Sequence, residues 1–155
     1  MQSKKIFAIK LFLLAGLIVW NIGIFSPCLI GKDNLFAYHL IKFFYSPVCH
    51  QISEKSFTCN HLQLMVCARC NGIYFGALIT AIFNLLPVAV SISKRLIIYA
   101  AIPMLIDVIL INLGIYNYNK VIAFITGNIF GASVFIFIFE IVKDYFLELT
   151  KEKDF

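Results

Sequence analysis

Charged side chains are scarce in this sequence. Asp, Glu, Lys and Arg make up 14% of its 155 residues and apolar residues 61%, whereas an ordinary soluble domain carries about 25% charge. Mean hydropathy is +0.91. A soluble fold built from this composition would leave large apolar patches in water, so an integral membrane protein with a single domain, residues 1–155, is expected. Alternation of apolar and polar residues is missing from the long apolar runs, which excludes spanning strands and leaves helices. No basic face is left over for nucleic acid. The net charge of +5 comes largely from Lys and Arg at segment ends, where it suits anionic headgroups and makes the lipid bilayer the partner. Internal repeats and low-complexity segments are also absent. The stretch SPCLIGKD after the first apolar run lacks a small-x-small cleavage pattern, so that run is expected to remain as a helix.

Crossing about 30 Å of hydrocarbon takes about 20 mostly apolar residues. Four stretches meet this, at about residues 6–26, 72–90, 96–116 and 121–142. A shorter apolar stretch, Leu35 to Val48, ends at Pro47, where a helix should stop. With Phe36, Tyr38, Phe43, Phe44 and Tyr45 it suits the headgroup level as an interfacial helix. The fold class is therefore an all-α, polytopic membrane protein with four transmembrane helices and one short interfacial helix. Lys4, Lys5, Lys94, Arg95, Lys143, Lys151 and Lys153 fall on one side of such a bundle, and Lys32, Lys42, Lys55, Arg69 and Lys120 on the other. The excess sets both termini in the cytoplasm and the loop 27–71 outside. Lys10, near the start of the first span, is placed to snorkel. Gly72 with Gly76, and Gly127 with Gly131, repeat at one helical turn and let backbones approach closely, either inside the bundle or across a homodimer seam.

The loop carries the chemistry. CHQISEKSFTCNHLQLMVCARCNGIYFG, residues 49–76, holds four of the five cysteines and two of the three histidines. In Cys67-Ala-Arg-Cys70 both thiols can face one point, and a Cys49-His50 step precedes them. Tetrahedral zinc takes Cys sulfur and His nitrogen in such paired sets, so Cys49, His50, Cys67 and Cys70 form a candidate zinc or other transition-metal site, with Cys59 and His61 as substitutes. A redox-active thiol pair and plain structural disulfides are the competing readings, and an oxidising outer side would favour disulfides. An odd count of five leaves one thiol over; Cys28, near the end of the first span, is the expected spare. His39 lies on the interfacial segment and is expected to be satisfied there.

Asp107 lies inside the third apolar run, where a carboxylate must face the bundle. It is a candidate for function or for a helix-registering bond to Thr126, Asn128 or Tyr74, with Asn84 and Asn112 available to the same seam. Glu140, three residues before Lys143, suits an interface position. Arg69, between two thiols, could balance a thiolate cluster, hold an anion or snorkel. Asp107 and Arg69 are the candidate catalytic residues, although no reaction is legible.

These residues carry a resemblance. VCHQ, Lys55-Ser56-Phe57, VCARCNGIYFG, PMLID and TGNIFG together resemble the domain-of-unknown-function 2085 family of small prokaryotic membrane proteins, over most of Tyr45 to Gly131. The family's pattern falls on Cys49, His50, Gln51, Ser56, Phe57, Cys67, Arg69, Cys70, Gly72, Tyr74, Gly76, Asp107, Thr126 and Gly127. Lys55 stands where relatives more often have Arg, and the basic residue expected before the Thr-Gly step is missing, Lys120 and Ala123 occupying that region. The resemblance implies a site and no settled activity. A looser, architectural similarity links the chain to quinone-coupled membrane thiol oxidoreductases, in which Cys49 and Cys59 would relay electrons to Cys67 and Cys70. A small transporter or accessory subunit is a further reading.

Overall fold

A computed structural model describes residues 2–30, 34–85 and 94–152. In order these form helices α1 (Gln2–Ile24), α2 (Ser26–Ile30) and α3 (Leu35–Tyr45), a 3-10 turn at Ser53–Lys55, strands β1 (Thr58–Cys59) and β2 (Leu62–Gln63), and helices α4 (Ala68–Phe83), α5 (Lys94–Asn112) and α6 (Lys120–Glu152). The described residues are mainly helical, with one small hairpin. Among the described residues two helices are long and apolar enough to cross a membrane: Ile6–Ile24 within α1 and Lys120–Phe146 within α6, with mean hydropathies of 2.1 and 2.2.

Local chemistry explains most boundaries. Asn34 caps α3, its Oδ1 accepting the Ala37 N–H at 3.3 Å, and the helix ends at Tyr45, two residues before Pro47. Asn119 caps α6 in the same way, accepting from the Val121 and Ile122 N–H groups at 2.9 and 3.3 Å. The expected fourth span stops at residue 142, but α6 runs on to Glu152, because nothing in the DYFLELTKE stretch breaks a helix. Residues 113–116, expected as the last turn of the third span, lie outside α5: the chain turns back after Asn112 through Gly114, whose φ is +70°. Residues 86–90 of the expected second span, with Lys32 and Lys153 of the charge pattern, lie outside the described residues.

Helices α4 and α6 form the spine. A Cβ added at Gly76 would overlap the Asn128 carbonyl, and one at Gly131 the Ile73 carbonyl. Gly72 and Gly127 face the opposite helix in the same manner, so all four glycines are used within one chain. Helix α1 lies against α4, joined at one end by Lys10, whose Nζ donates to the Asn84 carbonyl at 2.5 Å. Lys10 thus bonds the C-terminal end of α4, where a cation is favoured.

The loop between α1 and α4 folds back onto the end of α1. Ile24, Met65 and Val66, all at 0% exposure, form its core with Tyr38, Tyr45 and Cys49. The Tyr45 hydroxyl donates to the Trp20 carbonyl at 2.7 Å, and the Met65 N–H to the Ile24 carbonyl at 3.4 Å. The hairpin pairs Thr58 with Gln63 and Cys59 with Leu62, leaving Asn60 and His61 at the tip with φ of 51° and 63°. Two left-handed residues in a two-residue turn match the twist of the strands.

A candidate three-thiol metal centre

Cys49 follows α3 through a turn, Cys67 is the N-cap of α4, and Cys70 sits in its first turn. All three are free thiols, and their sulfurs lie within 4.8 Å of one another. Cys49 is buried and the other two are half-buried. The Cys49 sulfur accepts the backbone N–H of Cys67 at 3.2 Å and of Gln51 at 3.4 Å. Donation from the Cys67 and Cys70 thiols, reinforced by these amides, holds the Cys49 thiol well below the usual cysteine range. Cys67, as donor to Cys49, is shifted upward.

A net of amide bonds fixes the loop beneath this cluster. Gln51 has φ of +50°, and its Nε2 donates to the carbonyls of Lys42 at 2.7 Å and Met65 at 3.0 Å. Gln63 Nε2 donates to the Gln51 carbonyl at 2.6 Å and to Ser56 Oγ at 3.1 Å, while the fully buried Ser56 donates to the Ile52 carbonyl at 2.8 Å. The Tyr38 hydroxyl donates to the Gln63 carbonyl at 3.2 Å. Gln51 and Ser56 are part of the motif quoted above, but the sequence assigned them no role. Gln63 carried no signal.

His50 stands apart from the other three proposed ligands. It is exposed, and among the described residues no His, Asp or Glu joins the three sulfurs. The residue beside a buried cysteine in non-helical backbone tends to face away from it. Neither substitute ligand is available. Cys59 is bonded to Cys28 in a disulfide with Cα atoms 5.2 Å apart, and His61 is exposed at the hairpin tip. Cys28 is therefore not a spare thiol, and Cys49 and Cys59 do not form a loop pair. The short helix α2 reverses the chain after α1 and brings Cys28 to the hairpin, where Asn60 Nδ2 donates to the Cys28 carbonyl at 2.9 Å.

Arg69 and Asp107 meet each other. Arg69 Nη2 bonds Asp107 Oδ2 at 2.5 Å, with side-chain exposures of 23% and 3%. The Tyr116 hydroxyl donates to the other carboxylate oxygen. The Thr126, Asn128 and Tyr74 partners expected for Asp107 are not used: Thr126 Oγ1 donates to the Ile122 and Ala123 carbonyls of its own helix. The turn at Gly114 is what lets Tyr116 reach back to Asp107. The Tyr118 ring lies beneath Lys55 and Arg69, at 5.5 and 5.9 Å from its centroid. Burial pushes its phenol up to about 12. Asn84 caps α4, Asn112 is exposed at the end of α5, and neither joins Asp107. His39 bonds the Leu35 carbonyl at 2.8 Å and meets the Tyr38 ring edge-on.

Fold and site together define a small helical membrane protein with three thiols gathered at the start of a helix. The chain belongs to the family described as predicted membrane protein DUF2085, which it matches over residues 49–137. It is 34% identical over 115 residues to an uncharacterized protein of Methanocaldococcus jannaschii, covering 70% of each chain. It is 33% identical over 82 residues to an uncharacterized protein of Methanothermobacter thermautotrophicus, covering 52% of this chain and 74% of the relative. No solved structure matches. The family match spans all three thiols, Arg69, Asp107 and the four seam glycines.

Proposed function

We propose that this chain is a four-span integral membrane protein, one domain over residues 1–155, that binds a zinc-like metal ion through Cys49, Cys67 and Cys70 at the membrane boundary. The observation that carries this reading is the convergence of three free sulfurs within 4.8 Å, supplied by two segments separated in sequence. Sulfurs bound to one tetrahedral ion at about 2.3 Å lie about 3.8 Å apart, so the spacing suits a shared ion. Soft thiolates select zinc, monovalent copper or iron over magnesium and calcium. Purified protein in detergent should carry near-stoichiometric metal, and Cys67→Ser should lose it. A metal-free wild type that is fully folded overturns the reading.

Four spans are supported by length. The 16 residues of α4 and 19 of α5 reach about 24 and about 28 Å at about 1.5 Å per residue, close to the hydrocarbon thickness. The Cys28–Cys59 disulfide supports an outward-facing loop, since such bonds persist in oxidising compartments. With four spans, that leaves both termini in the cytoplasm. Quinone-coupled thiol exchange and a transporter role have no comparable observation behind them. Nor do the four glycines favour a homodimer, being buried between α4 and α6.

A further inference from the structure

Three protein ligands are an incomplete set for a tetrahedral ion. Closed structural zinc sites have four; sites that act on a ligand have three and an open position. Among the described residues no His, Asp or Glu joins the three sulfurs as a fourth ligand. Cys59 is in a disulfide, His50 and His61 are exposed, and the Asp107 carboxylate is held by Arg69 and Tyr116.

A metal is also redundant as a clip. Gln51 already ties the turn after Cys49 to Lys42 and Met65, Gln63 ties it to the hairpin, and the disulfide fastens the hairpin to α2.

Charge then limits what the open position accepts. Three thiolates around a divalent ion keep one negative charge. Two N–H donors on the Cys49 sulfur and the positive end of α4 offset that charge. Arg69, which lies between two of the thiols in sequence, is committed to Asp107. An anionic fourth ligand would add a second negative charge beside Ile24, Met65 and Val66, which have no exposure to water.

We propose that the ion held by Cys49, Cys67 and Cys70 keeps its fourth position for an external neutral donor, water or a nitrogen heterocycle, so that the centre binds a ligand instead of fastening the loop. The proposal rests on the metal-binding reading above. Full-length protein in detergent, loaded with cobalt(II), tests it. X-ray absorption should give three sulfur neighbours and one light atom, in the wild type and in His50→Ala alike. Imidazole should shift the visible spectrum saturably in both proteins, and azide should bind at least tenfold more weakly. Four sulfurs, an absent imidazole response, azide binding as tight as imidazole, or a tenfold loss of cobalt affinity in His50→Ala would each overturn it. A chain that takes up no cobalt overturns the metal reading and this proposal together, and that failure shows in the stoichiometry before any titration.

Discussion

Replacing Arg69 with Met keeps an unbranched aliphatic side chain and removes the guanidinium from Asp107 and from over the Tyr118 ring. Asp107 is 3% exposed, so its carboxylate loses an ionic partner where water cannot replace it. Breaking one side of a buried pair costs about 3–5 kcal/mol. The low end applies here, because Arg69 is 23% exposed and the Tyr116 hydroxyl still donates to Asp107. About 3 kcal/mol corresponds to a fall in Tm of about 6–12 °C for a chain of this size. Removing both charges, as in Arg69→Met with Asp107→Leu, leaves no stranded group and should recover most of the loss. Pairs replaced by apolar residues are often neutral. Thermal unfolding of the single and double variants, followed by circular dichroism in one detergent, measures the coupling, expected at about 2 kcal/mol or more. Strictly additive losses would refute the reasoning, because they would mean that the two groups do not depend on each other.

The other expectations are simpler to measure. Gly131→Val places a side chain against the Ile73 carbonyl of α4 and should cost at least about 3 kcal/mol of stability, whereas Gly16→Val, where a Cβ meets nothing within 4 Å, should cost less than about 1. Cys28→Ser opens a covalent loop of sequence separation 31 and should cost about 3–4 kcal/mol, read as a lower unfolding midpoint without reductant and none of that difference with it. Gln51→Ala removes both carbonyl contacts beneath Cys49 and should weaken metal binding about 10–100-fold while all three thiols remain, as measured by competition with a chelating dye.

What the sequence disclosed follows from how far each signal reaches. Long apolar runs are local, so α1 and α6 were legible to within a few residues at most of their ends, as was α3 with its stop before Pro47. The three thiols were legible because C-x-x-C at a helix start brings two sulfurs to one side and the Cys-His motif drew attention to Cys49. The direction of the His50 side chain was not legible, because adjacency in sequence says nothing about side-chain direction. The hairpin escaped notice because its turn is Asn60-His61, with no glycine to announce two left-handed residues. The Cys28–Cys59 bond and the Tyr116–Asp107 contact depend on chain reversals at α2 and Gly114, and no composition rule reports the partner that a reversal selects.

The bond between Lys10 and the Asn84 carbonyl acts as an axial lock. Sliding α1 by even one residue, about 1.5 Å, would pull the ammonium off the carbonyl that accepts from it at 2.5 Å. The height of Ile24, fourteen residues further along the same rod, is set by that lock. Ile24 in turn carries Met65, and so the platform under the sulfurs. A cation at one end of the molecule thus gauges the level of the thiol centre at the other.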